Sequence, residues 1–248
     1  MDTATIALLT GAGFGAGVVN GVAGGGSLIS FPALLAAGYP SVTANVTNSI
    51  AVLPGYLGGS LAYRPELAGQ RERIRSLGVT SAVGAAAGAA LLLSTPASLF
   101  DAVVPWLILA ACALLALQPR AAVIAARHRD RRGSGVALHG ALLLATIYGG
   151  YFGAGLGIML LALLGVLLPD DLQRLNALKG VLSLVVAIVA AVGFALFGPI
   201  AWDAALVVGA ASLVGGATGV RVARRLPATL LRGIVVAFGV VVAIALAV

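Results

Sequence analysis

Chemistry in this chain starts from AGGGSLISFP, residues 23–32, where three glycines and Ser27 interrupt an apolar run. A second interruption, GAGLG at Gly153 to Gly157, breaks the later half. Glycines permit a tight reversal, but backbone groups freed inside a membrane must be buried in protein or line a wet cavity. Ser27 stands where a helix N-cap would stand, so the amides of Leu28, Ile29 and Ser30 are expected to face that cavity with the positive end of a helix dipole. The amides of Ile158 and Met159 are expected to approach from the opposite side. Such an arrangement is expected to bind an anion; the alternative is that the glycines only let helices pack closely, the reading that also suits GAGFGAG at Gly11 to Gly17.

Polar residues inside apolar segments are costly in hydrocarbon and face a bundle interior or a pathway. Asn20 precedes the first break. Asn45, Thr47 and Asn48 lie in ANVTNSI, and Asn176 and Lys179 in LNALKGV. Lys179 stands about seven residues into its segment, roughly 10 Å deep, and reads either as a counter-charge for an anion or as an interfacial lysine that reaches cytoplasmic water. Tyr151, like Tyr148, precedes the second break, where it walls a pocket or packs in the core. The candidate substrate-binding set is therefore Asn20, Gly24, Gly25, Gly26, Ser27, Asn45, Thr47, Asn48, Tyr151, Gly155, Gly157, Asn176 and Lys179.

Other chemistries lack their residues. His128 sits in a basic loop and His139 stands alone, with no Ser, His and Asp set and no metal-ligand spacing. No enzyme activity, cofactor or metal is expected. No carboxylate lies deep in a segment, since Asp101, Asp203, Asp170 and Asp171 are near segment ends, which disfavours cation binding. The lone Cys112 forms no internal disulfide and reads as a small buried hydrophobe.

The elements that must position these residues are membrane helices. Of 248 residues, 60% are hydrophobic and 9% charged, far more apolar than a soluble domain. Ten apolar segments follow: Thr5 to Val22, Ser27 to Gly38, Ser41 to Tyr63, Leu77 to Thr95, Ala97 to Leu117, Val136 to Phe152, Gly157 to Leu168, Leu172 to Phe197, Ala201 to Val220 and Ala228 to Ala247. The second and seventh are too short to cross a core of roughly 30 Å and read as half-helices. The first segment lacks the basic region of a secretory signal and reads as a helix. A net charge of +7 resides in short connections, as membrane topology requires, and nucleic-acid binding is not expected.

Shifting the chain by 131 residues brings Gly24, Gly26 and Asn45 onto Gly155, Gly157 and Asn176. The shift also aligns the two short segments. If each break joined two pieces of one helix, eight crossings would leave Arg174, Lys179, Arg221, Arg224, Arg225 and Arg232 outside, against the positive-inside rule. If each break reverses the chain, all 15 Lys and Arg fall on the cytoplasmic side or half. Both termini then face outward, and Trp106 and Trp202 anchor the outer interface. The fold expected is an all-α polytopic membrane protein of two inverted-topology repeats, each a glycine-broken short hairpin plus three transmembrane helices, about eight full helices and two short ones. The repeats span residues 1–118 and 136–248, joined by a basic cytoplasmic linker at 119–135, in one membrane domain.

GVAGGGSLISFPALLAAGYPSVTANVTNSIA, YGGYFGAGLGIMLLALLG and LNALKGVLS resemble the sulfite exporter TauE/SafE family of membrane permeases over nearly the whole chain. The glycine triplet, Pro32, Gly38, Ala44 and Thr47 match its first-half pattern. Tyr151, Gly153, Gly155, Gly157, Asn176 and Lys179 match the second, while a serine is common in the family where Asn48 stands. The resemblance implies transport of sulfite, thiosulfate or an organosulfonate such as sulfoacetate across a bacterial inner membrane. Expected partners are a small anionic substrate and the lipid bilayer; the sequence sets no oligomeric state. A membrane scaffold or accessory subunit that binds a partner protein is the competing reading, and a channel for another small solute a third.

Overall fold

The computed structural model describes residues 1–22, 25–62, 64–127, 135–223 and 228–247. Eleven α-helices run in the order α1 (Thr3–Val22), α2 (Ser27–Ala36), α3 (Ser41–Ala51), α4 (Leu53–Ala62), α5 (Arg71–Ser94), α6 (Ala97–Arg127), α7 (Gly135–Tyr151), α8 (Leu156–Leu167), α9 (Leu172–Phe197), α10 (Trp202–Ala223) and α11 (Ala228–Ala247), with a 3-10 turn at Arg64–Leu67. No strand occurs among the described residues. Among the described residues, four helices, within α1, α5, α6 and α9, are both long and apolar enough to cross a membrane.

Local chemistry sets the helix ends. α2 stops at Gly38, whose φ of +87° is open to glycine. The Gly38 amide donates to the Leu35 carbonyl and the Tyr39 amide to the Leu34 carbonyl, at 2.9 and 3.2 Å, the paired bonds of a Schellman terminus. The segment expected to be continuous from Ser41 to Tyr63 is two helices that part at Val52. Pro54 has no amide to offer the Ile50 carbonyl, and its ring disfavours helix in the residue before it. At the other extreme, α6 continues ten residues past Leu117 to Arg127 despite Pro119, so the first part of the expected linker is helical. At the start of α9 the Asp171 side chain accepts from the Gln173 amide at 3.0 Å and caps the helix.

Element order repeats. α3, α5 and α6 begin at residues 41, 71 and 97, and α9, α10 and α11 at 172, 202 and 228, a constant spacing of 131. Packing follows the same exchange, with α1 against α10, α7 against α5, and α6 against α11. Small residues bring these backbones together: a Cβ at Gly13 would lie 2.7 Å from the Val208 carbonyl oxygen, and one at Gly17 2.1 Å from that of Ser212. Because both numbers rise together, α1 and α10 run parallel. Gly84 against Leu143 and Gly88 against Ile147 make α5 and α7 parallel in the same way.

The run from α3 through α4 is opposed to α9. Val46 packs against Gly198 at the end of α9, whereas the Ala68 carbonyl accepts from Arg174 Nη1 at 3.2 Å near its start. One large core joins both halves through Leu9, Phe31, Phe100, Phe152, Phe194 and Val208. A second, built on Leu77, Leu142, Leu160, Leu178 and Leu182, fastens α5 to α7, α8 and α9. Trp106, Phe197 and Leu206 point outward, each more than two-thirds exposed, as side chains that face lipid must be.

Candidate functional site

The first break is held by backbone contact. Gly25 has a φ of +98°, and the Gly26 amide donates to Asn20 Oδ1 at 2.8 Å. A Cβ at Gly26 would sit 2.2 Å from the Ala16 carbonyl oxygen, so no other residue fits there. Gly24 lies outside the described residues. Gly26, not Ser27, holds the N-cap position; Ser27 is the first helical residue. This corrects the expected set of free amides. Leu28 donates to the Gly25 carbonyl at 3.0 Å, and Ile29 and Ser30 donate to that of Gly26 at 2.9 and 3.2 Å. A tight glycine turn supplies acceptors three residues back before the ordinary helical ladder begins.

The second break repeats the principle with other means. Gly153 and Gly155 have φ of +76° and +77°, and Gly155 caps α8. Ile158 and Met159 both donate to the Gly155 carbonyl, at 3.0 and 3.1 Å, so these amides too are occupied. The Tyr148 hydroxyl donates to the Ala154 carbonyl at 2.7 Å and fastens the turn. Gly157 faces the Lys179 side chain, which would lie 3.8 Å from an added Cβ.

The polar cluster of α3 binds the two halves together. Asn45 Nδ2 donates to the Tyr151 carbonyl at 2.9 Å, while its Oδ1 is buried without a partner. Thr47 Oγ1 accepts from the Ala201 amide at 3.0 Å, and Asn48 Oδ1 accepts from the Ser30 hydroxyl. Tyr151 packs its ring edge-on against Phe100, centroids 5.7 Å apart. Asn176 is half-buried near the start of α9, whereas Asn45 lies by its far end, so these counterparts in sequence are not neighbours in space.

Both breaks border one cavity of about 360 Å³, counting its open mouth. Ser27 comes to it from the first break and Gly153 and Leu156 from the second; Ser49, Tyr56 and Ser183 add hydroxyls, and no charged side chain of the described residues lines it. Of the described candidate residues, Ser27 alone is in the wall. Lys179 stands one turn before Ser183 on α9, alongside Gly157. Ser183 carried a readable signal, because residues four apart share a helix face. Ser49 and Tyr56 carried none: their place depends on how α3 and α4 meet α9. No group of three metal-ligating side chains occurs among the described residues.

At one end of the molecule Asp170 pairs with Arg73 and, at 3.0 Å, with Arg174 Nε. Burial raises the Asp170 carboxyl, but the Asp171 amide and the two guanidinium groups outweigh it and hold the group below its ordinary 3.8. Gln70 Nε2 adds a bond to the Arg174 carbonyl at 3.0 Å. The start of α5 is thus tied to the start of α9.

Residues 9–246 match the family described as sulfite exporter TauE/SafE. A probable membrane transporter protein of Haemophilus influenzae is 30% identical over 93% of this chain and 90% of its own length. One from a Sinorhizobium species, ORF9, is 29% identical over 97% and 92%, and YfcA of Escherichia coli K12 is 26% identical over 85% and 76%. No solved structure matches. With helices that suit a bilayer, two glycine-broken turns at one cavity and a family match over nearly all its length, the chain is a multi-pass membrane protein that belongs to the TauE/SafE family of membrane transporters.

Proposed function

We propose that the protein carries a small sulfur-containing oxyanion across the bacterial inner membrane by alternating access between two inverted halves, residues 1–118 and 136–248. One observation carries the reading: glycine breaks from both halves border a single cavity. Inversion is supported by the opposed course of α3–α4 and α9, which begin 131 residues apart. When corresponding helices run oppositely, rocking one half against the other exposes the same cavity to alternate sides. Sulfite is favoured by the family's description, and Lys179 supplies a positive charge beside the second break. Asn20, Asn45, Thr47 and Asn48 hold the walls in register, while Asn176 and Lys179 stand toward the basic end.

The Arg73, Asp170 and Arg174 cluster marks the cytoplasmic end under the positive-inside rule. On this reading α1 and α10, which run parallel, both start at the outer end, and both termini are taken to lie outside. Purified protein in liposomes is expected to take up labelled sulfite, thiosulfate or a sulfonate faster than empty vesicles, and Lys179→Ala to reduce that uptake. Absence of flux for every anion tried would overturn the reading.

A further inference from the structure

We infer that the cavity holds its anion through hydroxyl groups, with Ser183 as a direct substrate contact, and therefore selects singly charged oxyanions over doubly charged ones. The inference rests on the transport reading and narrows its substrate class. Ser183 is 1% exposed and its Oγ has no hydrogen-bond partner, yet it lines the cavity. A serine within a helix has a ready outlet, the carbonyl four residues back. Ser49 on the opposite wall takes it, donating to the Asn45 carbonyl at 2.9 Å. Ser183 does not. A buried hydroxyl left unpaired in this way is unfavourable until a partner arrives, and the partner it faces is whatever fills the cavity.

Ser27 from the other half brings its hydroxyl to the same space. The ligand therefore meets donors from both halves, which is what a carrier needs if binding is to bridge them. Charge limits the choice. No ionic side chain of the described residues is in the wall, and Lys179, one turn before Ser183, is a cation beside it. A single positive charge balances a single negative one. A second negative charge would be desolvated with no partner, and the penalty grows steeply with ionic charge. Hydrogensulfite and simple monosulfonates fit; thiosulfate and sulfate carry one charge too many.

The test uses the full chain in liposomes with labelled methanesulfonate, singly charged, and thiosulfate, doubly charged. Methanesulfonate is expected to show kcat/KM at least about tenfold higher, and Ser183→Ala to raise its KM about tenfold, the loss expected for one hydrogen bond to a charged group. Ser183→Thr keeps a hydroxyl and recovers most of the affinity. Ser81→Ala removes another buried, unpartnered hydroxyl, one that does not line the cavity, and leaves uptake unchanged. As a second measurement, methanesulfonate raises the melting temperature of the parent and not of Ser183→Ala. Equal handling of the two anions, or parental KM in Ser183→Ala, overturns the inference while any anion flux leaves the transport reading standing; no flux at all defeats both.

Discussion

The two glycine breaks solve one problem differently. At the first, the α1 backbone presses on the turn: Gly26 has no room for a Cβ because the Ala16 carbonyl is there, and Asn20 reaches across to its amide. The second leaves space, with Gly157 facing only the flexible stem of Lys179, and its geometry rests on two left-handed glycines and one tyrosine hydroxyl. The loops beyond the short helices differ as well. After α2, Ser41 donates to Asp101; after α8, Asp170 binds two arginines. The lesson is that glycines at matching spacing need not do matched work. Both breaks carry a left-handed glycine and a polar tie, but the first is also closed by backbone contact, whereas the second lies beside the Lys179 side chain.

Four measurements break or sharpen that contrast. The largest effect belongs to Gly26→Ala, in which backbone must move: about 3 kcal/mol of destabilisation is expected, read as a lower melting temperature in detergent, against under about 1 kcal/mol for Gly157→Ala. Equal losses for the two would erase the difference. Next, Gly155→Ala forces a left-handed φ on a residue with a side chain where space itself is ample, and costs about 1–2 kcal/mol. Tyr148→Phe removes the hydroxyl tie of the second turn and costs about 1 kcal/mol; no loss would mean that the glycines alone hold it.

The smallest effect is electrostatic. The Asp170 carboxyl titrates lower in the folded chain than in the unfolded one, so its contribution is present above 3.8 and lost as pH falls through the folded value. The stability difference between the parent and Asp170→Asn should therefore be small at neutral pH and vanish in acid. A difference that grew on acidification would reverse the assignment.

Much of the fold was legible because the period and length of apolar runs are local. Leu172 to Phe197 and Ala228 to Ala247 match α9 and α11, and GAGFGAG marks close packing, which Gly13 and Gly17 provide against α10. The break at Val52 was written in Pro54 but hidden by the hydropathy around it. The amides were misjudged for a different reason. Whether a turn leaves them free depends on which carbonyl lies within reach, and Gly25, Gly26 and Gly155 supply one at hydrogen-bond distance.

By itself, the sequence determined that this chain inhabits a membrane, that it is interrupted twice by glycine, and that its basic residues cluster in connections; composition and spacing suffice for these because hydrocarbon excludes charge and unpaired backbone. Only the tertiary structure decided which polar groups meet. Asn45 and Asn176 look equivalent along the chain, yet the opposed course of α3 and α9 sends them to different ends. Ser27 and Ser183, which no alignment of the halves would pair, come to one cavity because packing across the molecule, and not position along it, sets what a hydroxyl can reach.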